Sequence, residues 1–372
     1  MLRLTTAALG LGIAASAAIA PPPRSPAAGA VPSVQRVGEL GVARAAATAS
    51  AVRNDRVLVA GGMAEGGAAL RSFEILAVTT GRVVGKGEMA DSRVAHTATP
   101  LPDGRVLVIG GYNGAYLKTA EIFDPATGRF TPTGSMHEGR SGQTATLLRD
   151  GTVLVTGGLG DGWSFLATAE RYDPETGTFS DVAPMSTQRE SHTATLLSSG
   201  RVLISGGHRG RRERIEIFAT TEIYDPAARA FRPGPMLLTA RHKHEAVGLT
   251  DGRVLILGGS DPRDHVRYNS TEVYDPRTNG IAAGPLMRAG RYKFRDTSVR
   301  LADGRVLVAG SGRIAELFDP ASGRFQPVAG DFGQDYSFAA ATALADGGVF
   351  IIGGYDDAMR NTTGVWRFRE EP

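Results

Sequence analysis

The 372-residue chain contains no cysteine. Disulfides, thiolate metal centres, cysteine nucleophiles and a lipidated N-terminal cysteine are therefore excluded. Export is not excluded, because a body with a large enough core needs no disulfides outside the cell. Charge of one sign is also lacking. Lys and Arg total 41 against 38 Asp and Glu, a formal net charge of +3. So small an Arg surplus is no footprint of a nucleic-acid binder. No stretch repeats apolar residues at a helical period. Neither a P-loop, a dinucleotide fingerprint, a G-x-S-x-G elbow nor a zinc signature is present, and no cofactor or metal is expected.

Met1–Ala20 reads as a secretory signal: Arg3 at the charged start, an apolar stretch from Leu4, then small residues. Ala15-Ser16-Ala17 fits a cleavage site, and Ala18-Ile19-Ala20 fits less well because Pro21 follows it. The stretch is about 17 residues of mostly Ala, Gly and Thr, short and weakly apolar for a membrane span. Residues 21–33 are Pro/Ala-rich and read as a linker. The expectation is a periplasmic or secreted monomer with one folded domain over residues 34–370.

What is present is a repeat of about 49 residues. A β-branched run closes on a glycine pair at Gly61-Gly62, Gly110-Gly111, Gly157-Gly158, Gly206-Gly207, Gly258-Gly259 and Gly353-Gly354. In the sixth copy the pair is Gly310-Ser311. Before each run stands a second apolar stretch, such as HTATPL from His96. Asp-Gly joins the two stretches in most copies, as at Asp103-Gly104 and Asp251-Gly252. That dipeptide signals a hairpin whose turn residues both take positive φ. A variable loop follows the glycine pair. A third strand then ends in aromatic-Asp-Pro, as in AEIFDPATGRF from Ala120, and Phe130, Phe179, Phe231 and Phe325 open a fourth. Gly pairs that follow strands without opening a helix are not phosphate loops.

Four short antiparallel strands per unit, seven times over, predict an all-β, seven-bladed propeller. The glycine pair after a β-branched run, with Tyr/Phe-Asp-Pro behind it, resembles Kelch repeats over residues 34–369. Two departures are Phe where Kelch units usually carry Trp, and Ser311. The resemblance implies the fold and says little about function. Some Kelch-like propellers are copper radical oxidases, a chemistry that needs a Cys crosslinked to a metal-ligating Tyr, so the missing cysteine excludes it. Others are periplasmic mutarotases acting on sialic acid. The acid/base candidates for such an enzyme are Glu190, His242 and Glu213.

Met89, Met136, Met185, Met236 and Met287 share a place near the end of the fourth strand. An Arg follows in each unit: Arg93, Arg140, Arg189, Arg241 and Arg291. Leu40 and Arg44 repeat that spacing, so Val34–Leu40 reads as a lone fourth strand that completes the last blade and covers two sheet edges. A repeated position repeats a structural role. Arg93, Arg140 and Arg189 are therefore read as inter-blade bonds, His96 and His192 as packing or hydrogen-bonding residues, and Trp366 as core.

The short uniform turns lie on one face and the variable loops on the other, which makes the latter the binding face. The candidate ligand residues there are Tyr112, Trp163, Arg211, Arg212, Arg214, Arg241, His242, Lys243, Arg267, Tyr268, Arg291 and Tyr355. Positive charge gathers on units four to six, opposed by Asp331, Asp335, Asp356 and Asp357 of unit seven, with Asp335 standing about where other units place Arg. A mouth polarised in this way suits an anionic, ring-bearing ligand. The reading is a noncatalytic scaffold for a carbohydrate or a protein partner, with a sugar-modifying enzyme as the alternative.

Overall fold

The computed structural model describes residues 31–211 and 214–371. The expected signal segment and nearly all of the linker lie outside them. Seven four-stranded antiparallel sheets surround one axis. The first blade is Thr48–Val52, Arg56–Ala60, Ser72–Ala77 and Val83–Glu88, ordered from the axis outward. First strands of neighbouring blades pack side by side around the axis. Second strands such as Val106–Ile109 are buried throughout, which is why they read as unbroken apolar runs. The core consists of seven apolar clusters, each shared by two adjacent blades. Leu107 and Ile109 of the second blade, for example, pack with Val153, Val155 and Tyr172 of the third. The aromatic before Asp-Pro faces the Phe that opens the fourth strand: Tyr172 and Phe179 are directly paired, ring centroids 4.8 Å apart.

The seventh blade closes the ring as expected. Val31–Glu39 is its outer strand and pairs antiparallel with Gly364–Glu371, setting Val34 opposite Phe368 and Arg36 opposite Trp366. The strand begins at Val31, so Val31–Ser33, assigned above to the linker, belong to the propeller. Its inner edge is thus paired, and Val34 also donates its N–H to the Ala329 carbonyl of the sixth blade at 2.8 Å.

Two local expectations are corrected. The Asp-Gly hairpins are not two-residue turns. Leu101 donates its N–H to the Arg105 carbonyl across the loop Pro102-Asp103-Gly104, and of the three only Gly104 has positive φ, +90°. This is the three-residue loop with a glycine bulge, so Asp keeps an ordinary backbone. Met236 is exposed, and Leu237 occupies the buried place of Met89, Met136, Met185 and Met287. Counting four residues back from Arg241 gives Leu237, so the extra residue before Arg241 shifts the register.

The glycine pair and the repeated Arg form one joint. The second glycine donates its N–H to the carbonyl of the Arg that opens the next blade: Gly62 to Arg93 at 2.9 Å, Gly111 to Arg140 at 2.8 Å, Gly354 to Arg44 at 2.9 Å. A Cβ on Gly61 or Gly110 would stand 2.7 Å from that carbonyl, and both residues have φ above +60° or near it. Glycine is required on both counts. The Arg side chain turns into its own blade. Arg140 donates to the carbonyls of Gly157 and Thr168 and pairs with Glu170 at 2.8 Å, both side chains buried. Arg93, Arg140 and Arg189 therefore hold one blade with the main chain and the next with the side chain, as expected of inter-blade residues.

Candidate functional site

Arg241 and Arg291 belong to that same joint, which corrects their assignment to the ligand face. Arg241 is wholly buried against Glu272 at 2.8 Å, and Arg291 against Glu316 at 3.0 Å. Neither guanidinium is open to a ligand. Tyr336 takes the repeated Arg's place in the seventh blade: its carbonyl receives the Ser311 N–H as the Arg carbonyls receive the glycine N–H. Asp335 stands one position earlier. Trp366, buried as expected, occupies the matching Glu position, and the two rings pack at a tilt with centroids 5.2 Å apart.

A cavity of about 430 Å³ lies at the axis, at the end where the first strands begin. Every blade contributes to its wall. One residue per blade, two past the repeated Arg, has positive φ: Ala46, Ala95, Gly142, Ser191, Lys243, Lys293 and Phe338. These residues form a collar. The N–H of Ala46 donates to the Phe338 carbonyl at 2.8 Å, Gly142 to Ala95 at 2.9 Å, Lys243 to Ser191 at 3.1 Å, Lys293 to Lys243 at 3.1 Å and Phe338 to Lys293 at 2.7 Å. Left-handed backbone at non-glycine residues costs about 1–2 kcal/mol each, and these five bonds help to hold it.

The wall is uneven. Blades seven, one and two supply mostly small apolar groups, among them Ala46, Ala49, Ala98, Ala340 and Phe338. Blades four to six supply Glu190, His208, Lys243, Glu245, Lys293 and Arg295. Arg295 reaches across to the Gln143 carbonyl of the third blade. It does so because the sixth blade is longer: Arg291 to Asp303 spans twelve positions, where Arg93 to Asp103 and Arg241 to Asp251 span ten. The extra pair, Arg295-Asp296, bulges into the channel. Burial raises the Glu245 carboxyl well above its usual range, and Asp296 adds to this, against the Asp296 backbone N–H bonded to it at 2.6 Å. Burial would lower the Lys293 ammonium, but Tyr355, Tyr292 and Asp264 nearby leave it raised.

Of the remaining candidates, Lys243 lines the cavity and is paired with Asp264. Tyr355 is buried beside Phe338, ring centroids 5.8 Å apart. His242 is wholly buried, contrary to its assignment to the ligand face, since its ring lies beneath Ser260 and Asp264. Arg267 is engaged by Asp335 at 3.3 Å and Asp357 at 3.2 Å, so the opposed charges of blades five and seven meet in salt bridges across the rim. Tyr268 is half-buried near the Arg241 guanidinium. Tyr112, Tyr116 and Trp163 form an aromatic group on the outer loops, with Arg211 stacked 3.5 Å over the Trp163 ring. Arg214 is exposed, and Arg212 and Glu213 lie outside the described residues. His96 and His192 bond the preceding blade through Thr48 and Thr144, as expected, and His244 does the same through Thr193. Glu245 was missed: it stands at the place of Thr97 and Thr144, a break in the repeat that could have been read. The collar was missed because nothing in six non-glycine side chains announces positive φ.

The Kelch motif matches residues 93–137, 142–186 and 246–279. These fall on the second, third and fifth blades of a ring whose seven blades share one plan. Three Kelch motifs in a seven-bladed ring fit a Kelch-repeat protein. Among solved structures the chain is similar to a fungal alcohol oxidase of the AA5 family in complex with copper. The likeness has a TM-score of 0.70 at 18% identity, covering 89% of this chain and 75% of that one. At that identity the likeness concerns the fold. No curated protein matches the chain. Copper does not fit its channel. The imidazoles of His96, His192 and His244 face hydroxyls of the preceding blade. Among the described residues the one group of three placed to share an ion is His137, Glu170 and Asp181, away from the cavity. There Glu170 already serves Arg140. No helix among the described residues is long and apolar enough to cross a membrane.

Proposed function

We propose that the protein is an exported, noncatalytic binding scaffold that takes a small anionic, ring-bearing ligand, an acidic carbohydrate, at the mouth of its central channel. The Kelch propeller fold supports the scaffold reading. The observation that carries the ligand class is the uneven wall. Lys243, Lys293 and Arg295 line one side of a cavity of about 430 Å³, and small apolar groups with Phe338 line the other. A carboxylate finds charge-assisted partners on the first side, and the flat apolar face of a ring packs on the second. Export is supported by Arg3, the apolar stretch behind it and Ala15-Ser16-Ala17. A sugar-modifying enzyme is the second reading. It is favoured by Glu190, the one described acid/base candidate that lines the cavity.

The test is thermal unfolding against neutral sugars, uronic acids and sialic acids, since a ligand bound only by the folded state raises the midpoint. A rise with acidic sugars alone, lost in Lys293→Met, is the expected result. A rise with neutral sugars that Lys293→Met leaves intact overturns the assignment. Turnover of the bound sugar, followed by NMR and lost in Glu190→Gln, would favour the second reading.

A further inference from the structure

In every blade but the sixth, the residue after the repeated Arg (or after Tyr336 in the seventh) and the residue after the glycine pair meet in an isolated bridge. The pairs Ala45 with Met63, Val94 with Tyr112, Ser141 with Leu159 and Ser337 with Tyr355 carry no carboxyl or imidazole. In blades four and five the same bridges are Glu190 with His208 and His242 with Ser260. The two imidazoles are buried edge to face, ring centroids 4.8 Å apart, and their Nδ1 atoms are 3.2 Å apart. Phe165 packs on the other edge of His208 at 5.5 Å.

The hydrogen-bond partners determine where the protons sit. His242 Nε2 faces three oxygens: Ser260 Oγ at 3.0 Å, the Asp261 carbonyl at 3.2 Å and Asp264 Oδ1 at 3.2 Å. Ser260 gives its own proton to Asp264 Oδ1 at 2.7 Å, so it accepts from the imidazole. Three acceptors require a proton on His242 Nε2. Between the two Nδ1 atoms one proton is shared, and the Glu190 carboxylate stands 3.4 Å from His208 Nδ1. That carboxylate oxygen also accepts from the Ser191 hydroxyl at 2.8 Å, and a bare Nδ1 lone pair on His208 would face the carboxylate in repulsion, which places the shared proton on His208. His208 Nε2 is then left with its lone pair and has no hydrogen-bond partner among the described residues. Burial pulls the imidazole below its ordinary 6.5, against the opposing effect of Glu190, so it stays neutral near pH 7. His208 lines the central cavity and also an adjoining groove with Trp163 and Arg211.

We propose that His208 presents a fixed hydrogen-bond acceptor, the Nε2 lone pair, at the channel mouth, and that this acceptor selects a hydroxyl-bearing carboxylate as the ligand. An acceptor-only nitrogen takes a hydroxyl or an amine. Lys243 is paired with Asp264 and Arg295 with Asp296, so among the described residues Lys293 is the cation of this wall with no salt bridge; it repels an ammonium and attracts a carboxylate, which leaves the hydroxy acid. Asp264 organises both halves, because it holds His242 in one tautomer with one oxygen and Lys243 with the other. The inference rests on the channel mouth being the ligand site, and it names what that site discriminates.

The first measurement is the tautomer, read by nitrogen-15 NMR on the unaltered protein. An unprotonated Nε2 and a protonated Nδ1 on His208 are expected, and a protonated Nε2 overturns the inference. The second compares D-glucuronate with cyclohexanecarboxylate, which has the charge and ring without hydroxyls, by calorimetry. His208→Phe should weaken glucuronate ten- to hundredfold, the loss of one hydrogen bond to a desolvated partner. It should leave the weaker binding of cyclohexanecarboxylate unchanged. Glucuronate binding that survives His208→Phe but is lost in Lys293→Met keeps the channel as the ligand site and overturns the role of His208. Absence of binding by either acid to the unaltered protein overturns both. Because the tautomer is read without substitution, the inference stays testable should His208→Phe fail to fold.

Discussion

Removing Arg140 should be far more damaging than removing both members of its buried pair. In Arg140→Met the Glu170 carboxylate loses its 2.8 Å partner while its side chain remains buried. The His137 backbone N–H, 2.8 Å away, is then its main remaining donor. Breaking a buried pair from one side costs about 3–5 kcal/mol, because an uncompensated charge stays in a low-dielectric interior. Unfolding entropy near 2.1 cal/mol/K per residue over about 340 residues converts this to a loss of about 4–7 °C in midpoint. The double variant Arg140→Met/Glu170→Leu removes the stranded charge. Its remaining deficit is the donors that Arg140 gave to the Gly157 and Thr168 carbonyls, both at 3.1 Å. It should therefore recover at least half of the loss. The single variant should also regain stability as pH falls: its stranded carboxyl, with a folded-state pKa above the unfolded value, is neutralised first in the folded state.

Thermal scans of the three proteins at pH 7 and pH 5 decide the matter. A single variant within about 1 kcal/mol of the parent would sink the reasoning, as would a double variant that costs the sum of two separate losses. The protein already contains a version of this experiment. In the seventh blade the pair is absent, and Tyr336 and Trp366 fill its place with tilted rings 5.2 Å apart, joined edge-on by Phe332 at 5.6 Å. An apolar filling of this joint is therefore compatible with the fold.

Deleting residues 31–39 should unpair the Gly364–Glu371 strand and expose its outer edge, producing oligomers or aggregates by size-exclusion chromatography; a monomer of unchanged midpoint would contradict the closure role. Gly157→Ala places a Cβ 2.6 Å from the Arg189 carbonyl at φ +61° and should cost more than about 2 kcal/mol in denaturant unfolding. Gly162→Ala, at φ +65° with nothing near it, should cost only about 1 kcal/mol. His96 is lowered from 6.5 to about 3, chiefly by burial and then by the Arg93 and Arg295 charges. Between those pH values the unfolded chain holds a proton that the folded chain refuses, so stability falls as pH drops from 6.5 toward 3, at up to about 1.4 kcal/mol per unit. His96→Gln, the residue that the third blade carries as Gln143, should flatten that acid limb by one proton in pH-dependent unfolding; an unchanged slope would refute the assignment.

The repeat was legible because each of its signals reports a local backbone requirement. Gly61 and Gly110 must be glycine at a joint where a Cβ meets a carbonyl. Second strands buried on both faces must be apolar throughout. What was not legible was which end of a side chain's environment it faces. Arg241 and Arg291 sit in loop-rich, cationic stretches and looked like ligand residues, yet each is paired with a Glu roughly 30 residues ahead, on the third strand of the same blade. The partners Glu74, Glu121, Glu170, Glu222, Glu272 and Glu316 recur as regularly as the arginines, so the pairing could have been read from that shared period. Arg267 misled for a different reason: its acids, Asp335 and Asp357, come from another blade, and only ring closure brings them within 3.3 Å.

In such a protein, position in the repeat sorts side chains better than chemical type does. An Arg present in six blades with a Glu partner in each is scaffold, however exposed its neighbours in sequence. The groups with chemistry to spare are those found once. Arg295 and Asp296 exist only because the sixth blade is two residues longer, and they narrow the channel from that side. Glu245 stands where Thr97 and Thr144 stand in other blades, and burial there holds its carboxyl well above the usual range. Glu190, His208 and His242 occupy bridge positions that are otherwise apolar or neutral. All but His242 line the same cavity, and His242 lies directly behind its wall against His208. Six blades' worth of repetition makes a rigid ring, and the departures from it converge on one side of the axis, between blades four and six. Convergence of unrepeated charge on a repeated frame is what a site selected for its chemistry produces, and independent drift in seven blades has no reason to place it on one wall.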